Sequence, residues 1–116
     1  MGPTRLAVVL IAATVLPAAA ADLAETKTDF LRFCSKCHGS EGRGDGPQAE
    51  ALSTKPRDLT DCARMKAMPD DHLFTAIKEG GAAVGLSKDM PAWKEGMEDD
   101  DIRALVAFVR TLCKTP

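Results

Sequence analysis

The chain has 116 residues, of which 45% are apolar and 28% charged, a composition that fits one globular domain and excludes a disordered or collagen-like chain. Fifteen basic and seventeen acidic residues give a formal charge of −2, which excludes the strongly basic surface typical of nucleic-acid binding. With aromatic residues at only 4%, few large side chains are available for a core. The four cysteines and two histidines therefore carry most of the information about function.

The first 21 residues have the pattern of a cleaved secretory signal peptide. Arg5 supplies a positive charge, residues 6–16 form an uncharged apolar run, and the alanines at 18–21 supply a cleavage site. The run is shorter than the roughly 20 residues of a membrane span, with an uncleaved anchor as the alternative. We expect residues 22–116 to form one exported domain without a membrane span. Its fourteen basic and seventeen acidic residues give it a formal charge of −3.

The exported segment is predicted to be all-α. Three helices are expected: one at residues 23 to about 33, one at 70–79, and a last helix whose apolar stripe runs from Ile102 to Leu112. The acidic residues at 99–101 lie where the dipole of that last helix favours negative charge. Pro69 and two acids precede or open the middle helix, and Gly80 follows it. The irregular segments lie at residues 39–47 and 81–96. No segment has the sustained alternation of apolar and polar residues that is typical of a β-strand, so a helical domain is predicted. Because aromatic residues are few, we expect something other than aromatic side chains to complete its core.

The string Cys34-Ser35-Lys36-Cys37-His38 is the C-x-x-C-H signature of covalent haem attachment. Two thiols separated by two residues can form thioethers with the two vinyl groups of haem, which brings His38 under the iron as an axial ligand. A thioredoxin-like redox pair normally needs a βαβ setting, and a zinc site needs further ligands; neither is visible. A plain disulfide stays possible in an exported protein.

A methionine is the predicted ligand on the other side of the iron. Met90 ranks first because it lies in an irregular segment and because Pro91 biases its backbone towards an extended conformation. Alternatives of lower rank are Met65, Met68 and His72. Met97 is expected to pack against the first turn of the last helix.

Several strings in the exported segment carry a family resemblance. They are CSKCHG at 34–39, GRGDGP at 42–47, PRDLT at 56–60, MPAW at 90–93 and IRALVAFVR at 102–110. Together they resemble the small monohaem class I cytochromes c of bacteria. The resemblance implies the cytochrome c fold, with three to four short helices wrapped around one covalently bound haem c per chain.

The resemblance also implies roles for individual residues in the helices. Phe30 and Phe108 match the aromatic residues of the crossing terminal helices, so their rings should lie near one another. Thr26 stands where many relatives have glycine, which leaves the closeness of the crossing open.

Loop residues also acquire roles from the resemblance. Pro47 is similar to the proline whose carbonyl accepts a hydrogen bond from the axial histidine, with Pro56 as its rival. Arg57 and Trp93 are expected to donate hydrogen bonds to the haem propionates. An exposed loop charge and plain core packing are the respective alternatives for these two residues.

Two protein ligands would leave no open position on the iron, and metal catalysis needs one. We therefore expect a soluble, monomeric, periplasmic one-electron carrier and not an enzyme, with a redox protein as donor and another as acceptor. A haem-bearing subunit of a larger oxidoreductase complex and a haem sensor with a labile Met90 are the alternatives. The low net charge predicts brief docking without strong electrostatic steering.

Cys62 and Cys113 lie outside the haem motif. Two remaining thiols in an exported domain make an even count, and an oxidising compartment favours a disulfide between them. Two separate buried thiols are the alternative.

Overall fold

The computed structural model describes residues 2–4, 6–14 and 18–114, with the backbone alone for residues 18–21. Arg5 and residues 15–17 of the predicted signal peptide lie outside the described residues. Residues 2–4 and 6–14 are exposed and have no helix or strand. The first helix begins at Ala18, so the predicted cleavage point falls inside its first turns.

The described residues are helical, and no strand is found among them. The α-helices are α1 (Ala18–Asp29), α2 (Ser35–His38), α3 (Cys62–Lys66), α4 (Asp70–Glu79) and α5 (Asp99–Leu112). A π-helical turn (Phe30–Cys34) joins α1 to α2, and two 3-10 turns span Ala49–Ala51 and Gly81–Val84. In the described part of the chain no helix has the length and apolar character that a membrane crossing needs.

The middle and last helices agree with the prediction, while the first helical segment is longer than predicted. Pro69 has an extended backbone at the start of α4, and Gly80 ends the helix at a φ of +91°. The last helix begins at Asp99, so the three acidic residues lie in its first turn as predicted, where the helix dipole favours negative charge. The first helix continues through the π turn to His38, and α3 was not predicted.

Packing of α1 and its π turn against α5 forms the core. Phe30 and Phe108 are both buried, and their ring centroids lie 5.2 Å apart at an interplanar angle of 47°, which confirms the predicted neighbours. Thr26 is also buried, and its hydroxyl donates to the Asp22 carbonyl over 2.8 Å. A threonine fits at this position because its polar group is satisfied within its own helix.

The end of α5 is joined to α3 and to the start of α4. The structure places a disulfide between Cys62 and Cys113, whose Cα atoms lie 5.1 Å apart. The guanidinium of Arg110 donates to the Asp70 carboxylate over 2.9 Å and to the carbonyls of Met65 and Met68. Arg110 therefore adds a side-chain donor to the Met65 carbonyl in α3, which also accepts from the Met68 N–H over 3.2 Å, and supplies a donor to the Met68 carbonyl just beyond this helix.

Candidate functional site

A cavity of about 740 Å³ opens between the end of the first helical segment and two loops. Its volume lies within the roughly 300–1,000 Å³ typical of cofactor sites. Two loops contribute to its lining, the Arg57 segment (residues 52–61) and the Met90 segment (residues 86–93). A second, apolar cavity of about 90 Å³ shares Cys34, His38 and Met90 with the first.

The glycine loop at residues 39–47 holds α2 in place. The N–H groups of Gly44 and Gly46 donate to the carbonyls of His38 and Cys37, over 2.7 and 3.0 Å. The last carbonyls of a helix have no partner inside the helix, so these bonds complete its C-terminal end. A side chain at Gly46 would collide with the carbonyls of α2. The close approach of this loop fixes the orientation of the helix that presents Cys37 and His38 to the cavity.

Cys34 and Cys37 both line the large cavity. Burial, with a further contribution from the negative charge of Asp29, raises the pKa of the Cys34 thiol to about 11. This thiol is therefore neutral in the unmodified chain near pH 7, which suits a wall that faces an apolar group.

His38 is half-buried and lines both cavities. Its Nδ1 lies 3.1 Å from the carbonyl oxygen of Arg57. A carbonyl only accepts hydrogen bonds, so Nδ1 carries the proton and Nε2 keeps a free lone pair. Burial lowers the pKa of His38, against the opposing effect of the Arg57 hydrogen bond, so the ring is neutral at pH 7. A neutral imidazole whose other nitrogen is hydrogen-bonded is the form that ligates metals.

The prediction that Pro47 supplies this carbonyl is wrong, and so is its rival, Pro56. Pro47 is exposed and does not line either cavity. The carbonyl of Pro56 packs against Gly44, where a Cβ would collide with it, and the next carbonyl along the chain, that of Arg57, reaches His38. The glycine loop instead caps α2.

Met90 lines both cavities together with His38. Its carbonyl accepts from the Gly81 N–H over 3.1 Å, and Trp93 N–H donates to the Ile77 carbonyl over 3.0 Å. The Met90 segment is thus attached to the C-terminal end of α4.

The other candidate ligands lie elsewhere in the described chain. Met68 and His72 line only the smaller cavity. Met65 is 2% exposed in the core and lines neither cavity, and Met97 packs against the core while partly buried. Met90 is therefore the one described methionine that lines the large cavity with both cysteines and His38.

Arg57 and Trp93 also line the large cavity. The Trp93 ring packs against Phe33 with centroids 5.5 Å apart, so packing and a donor role are compatible. The Arg57 guanidinium forms no ion pair with any other described residue.

Sequence reasoning missed two features of the site. The Arg57 backbone carbonyl has no sequence signal, because every residue has a carbonyl. Ser53 and Asp89, which hydrogen-bond to each other between the two loops that line the cavity, are 36 residues apart, so no local pattern links them.

Known proteins match most of the chain. The family model described as "Cytochrome C oxidase, cbb3-type, subunit III" matches residues 21–109. The cbb3-type cytochrome c oxidase subunit FixP of Bradyrhizobium diazoefficiens is 28% identical over 91 residues, which cover 78% of this chain and 28% of the relative. The chain thus matches less than a third of the length of this curated relative.

Solved structures have the same fold. The KustC0563 c-type cytochrome is 26% identical at a TM-score of 0.64, with 77% of this chain and 98% of that chain covered. A chain of the Kuenenia stuttgartiensis reducing HAO-like protein complex Kustc0457/Kustc0458 is 25% identical at a TM-score of 0.64, covering 85% of this chain and 47% of that chain. These matches confirm the predicted helical cytochrome c fold. The chain belongs to the cbb3-type cytochrome c oxidase subunit III family, and it is a small monohaem class I cytochrome c whose cofactor is covalently bound haem c.

Proposed function

We propose that this chain is a periplasmic one-electron carrier, with haem tethered by Cys34 and Cys37 and with His38 and Met90 as axial ligands. The observation that carries the proposal is the lining of a single cavity by all four of these side chains. The haem-attachment string and Met90 lie on separate segments, so the cavity brings together groups that are more than 50 residues apart.

When bound, haem supplies reversible one-electron exchange between Fe(II) and Fe(III). The thiols of Cys34 and Cys37 would hold it covalently, and the free Nε2 of His38 and the thioether of Met90 would supply the axial ligands. Two protein ligands would leave no position for a substrate, which favours a carrier over an enzyme. A methionine ligand raises the potential of the iron relative to a second histidine.

The remaining lining residues support the same role. The smaller cavity is lined mainly by apolar side chains of the core, including Phe30, Leu59 and Val106, which would exclude water from the part of a bound haem that faces them. Arg57 and Trp93 line the large cavity, where their N–H groups would be available to donate hydrogen bonds to the haem propionates. Burial and outer hydrogen bonds of this kind tune the potential of a haem.

Covalent attachment is tested on the mature protein by mass spectrometry and acid–acetone extraction. We expect one added haem mass that survives extraction. The double variant Cys34→Ala/Cys37→Ala should carry no covalent haem. Haem that is extracted from the natural chain would contradict the attachment.

The axial ligands are tested by Met90→Ala, with Met68→Ala as the matched variant of the nearest alternative. Oxidised natural protein should show the weak sulfur-to-iron band near the red end of the visible spectrum. Met90→Ala should lose this band and lower the reduction potential, and Met68→Ala should keep both. The reverse result would assign the ligand to Met68.

A haem-bearing subunit of a larger complex is the second candidate function. It is favoured by the names of the relatives, since one is an oxidase subunit much longer than this chain and another belongs to a protein complex. Native purification followed by haem absorbance discriminates the two. After signal removal roughly 95 residues remain, which corresponds to a mass of about 10 kDa. A monomer of that mass supports the carrier, and a stable larger complex supports the subunit.

Docking to redox partners is expected to be brief. Charges of both signs line the large cavity: Lys36, Arg43, Lys55, Arg57 and Arg64 against Asp58, Asp61 and Asp89. Such mixed charge supports only weak steering, and small redox interfaces bury little area. Electron-transfer rates should change modestly with added salt, and a steep fall would contradict this part of the proposal.

A further inference from the structure

A pair of hydrogen bonds joins the two loops that line the large cavity. The backbone N–H of Ser53 and its hydroxyl both donate to Oδ2 of Asp89, over 3.1 and 2.6 Å. Ser53 lies between two lining residues, Leu52 and Thr54, and Asp89 lines the cavity directly beside Met90.

These are the only hydrogen bonds or ion pairs between the Arg57 segment and the Met90 segment among the described residues. The remaining anchors of each segment lead elsewhere. Leu59 N–H in the Arg57 segment donates to the Gly42 carbonyl over 2.7 Å, and the Met90 segment is anchored to Gly81 and Ile77. Without the Ser53–Asp89 pair, no hydrogen bond or ion pair would connect the Met90 segment to the Arg57 segment, in which the Arg57 carbonyl orients His38.

Asp89 is well placed to control the position of Met90. Its own N–H donates to the hydroxyl of Ser87 over 3.1 Å, which restrains the backbone from the other side. Adjacent Cα atoms are separated by about 3.8 Å, so a displacement of Asp89 carries Met90 with it. Hydrogen bonds to a carboxylate are stronger than neutral ones, so two on one oxygen resist opening of the loop.

We infer that the Ser53–Asp89 pair is a clasp that keeps the Met90 segment closed over the cavity, and that these two residues are positioning residues for the axial methionine. This inference rests on the proposed ligation by Met90. The clasp acts by slowing the excursions in which Met90 leaves the iron, and it thereby limits access of exogenous ligands.

The test measures imidazole binding to the oxidised holoprotein by stopped flow, at imidazole concentrations where release of the methionine limits the rate. Imidazole is used because it is largely neutral above pH 8. Ser53→Ala should bind about five- to tenfold faster than the natural protein, the factor expected for loss of one hydrogen bond. Ser53→Thr, which keeps a hydroxyl, should restore the rate to within about twofold.

Two controls separate the clasp from a general loss of stability. Ser40→Ala changes an exposed serine of the glycine loop and should leave the rate unchanged. Asp89→Asn keeps the shape but removes the charge, so its rate should lie between those of the natural protein and Asp89→Ala.

Comparison of the natural protein with Met90→Ala shows whether the proposed ligation by Met90 is contradicted or only the clasp. If the natural protein binds imidazole as fast as Met90→Ala, both the ligation and the clasp are overturned. If the natural protein is slow and keeps its sulfur-to-iron band, but Ser53→Ala is equally slow, the clasp alone is overturned.

Discussion

The Nδ1–H of His38 donates to the backbone carbonyl of Arg57 over 3.1 Å, so the imidazole is oriented by a residue 19 positions away. This bond fixes the tautomer and leaves Nε2 free for a metal. Because the acceptor is a main-chain atom, replacing the Arg57 side chain should preserve it, whereas a shift of the backbone at residues 56–57 should break it.

Gly44→Ala is expected to produce that shift. Gly44 has a φ of +79°, and a Cβ there would collide with the Pro56 carbonyl. Gly85→Ala is the matched control, because Gly85 has a φ of +74° but open space around it. We expect Gly44→Ala to lower the free energy of unfolding by about 2 kcal/mol more than Gly85→Ala in guanidinium titrations, and to shift the reduction potential. Equal costs for the two variants would show that the contact with Pro56 is not needed.

The Phe30–Phe108 contact is expected to couple α5 to the helical segment that carries the haem motif. Phe30→Ala should lower the free energy of unfolding by about 3–5 kcal/mol, because the ring is 1% exposed. A double-mutant cycle with Phe108→Ala should give a coupling of about 1 kcal/mol. Leu31→Ala is the control, since Leu31 is 40% exposed, and its cost should be much smaller. An absent coupling would mean that the two rings contribute independently.

The accuracy of the helix predictions followed the strength of local signals. Pro69 and Gly80 flank α4, and its apolar stripe has helical spacing, so its bounds could be predicted. The five residues of α3 are too few to show a period. The π turn after Asp29 was missed because the apolar cluster near Phe30 and Phe33 is compatible with either helical form.

Arg110 should contribute more stability than any exposed ion pair on α5. Arg110→Met would leave the carbonyls of Met65 and Met68 without this donor, and we expect a loss of about 2–3 kcal/mol in free energy of unfolding. Arg103→Met, on the same helix, removes an exposed pair with Asp100 and should cost less than about 1 kcal/mol. Thermal unfolding monitored by circular dichroism compares the two, and equal costs would contradict the assigned role.

The Cys62–Cys113 disulfide is expected to form in the exported protein. Denatured but unreduced holoprotein should give no free thiols, because the other two cysteines are committed to haem. The bond spans 51 residues, and reduction should lower the free energy of unfolding by about 4 kcal/mol on chain-entropy grounds. A count of two free thiols would contradict the bond, and Cys62→Ala/Cys113→Ala should then be as stable as the natural chain.

The site could be predicted wherever the chemistry belongs to side chains in a short string. Cys34, Cys37 and His38 form such a string, and Met90 is marked by the proline that follows it. The acceptor for His38 could not be predicted in this way, because its identity depends on how the glycine loop folds back on α2.

The π turn determines how Phe30, which packs against α5, and His38, which lines the large cavity, are oriented relative to each other around one continuous helical segment. Ser35 N–H donates to the Phe30 carbonyl five residues earlier, so this turn contains one residue more than a regular α-helical turn. Each residue of an α-helix advances the chain by about 100° around its axis. Loss of one residue here would leave Phe30 against α5 but rotate His38 away from the cavity. Deletion of one residue from the π turn should therefore weaken cofactor binding and leave the packing of Phe30 against α5 in place. Such a deletion keeps the ligand side chain and changes only its direction, whereas a substitution of His38 removes the ligand itself.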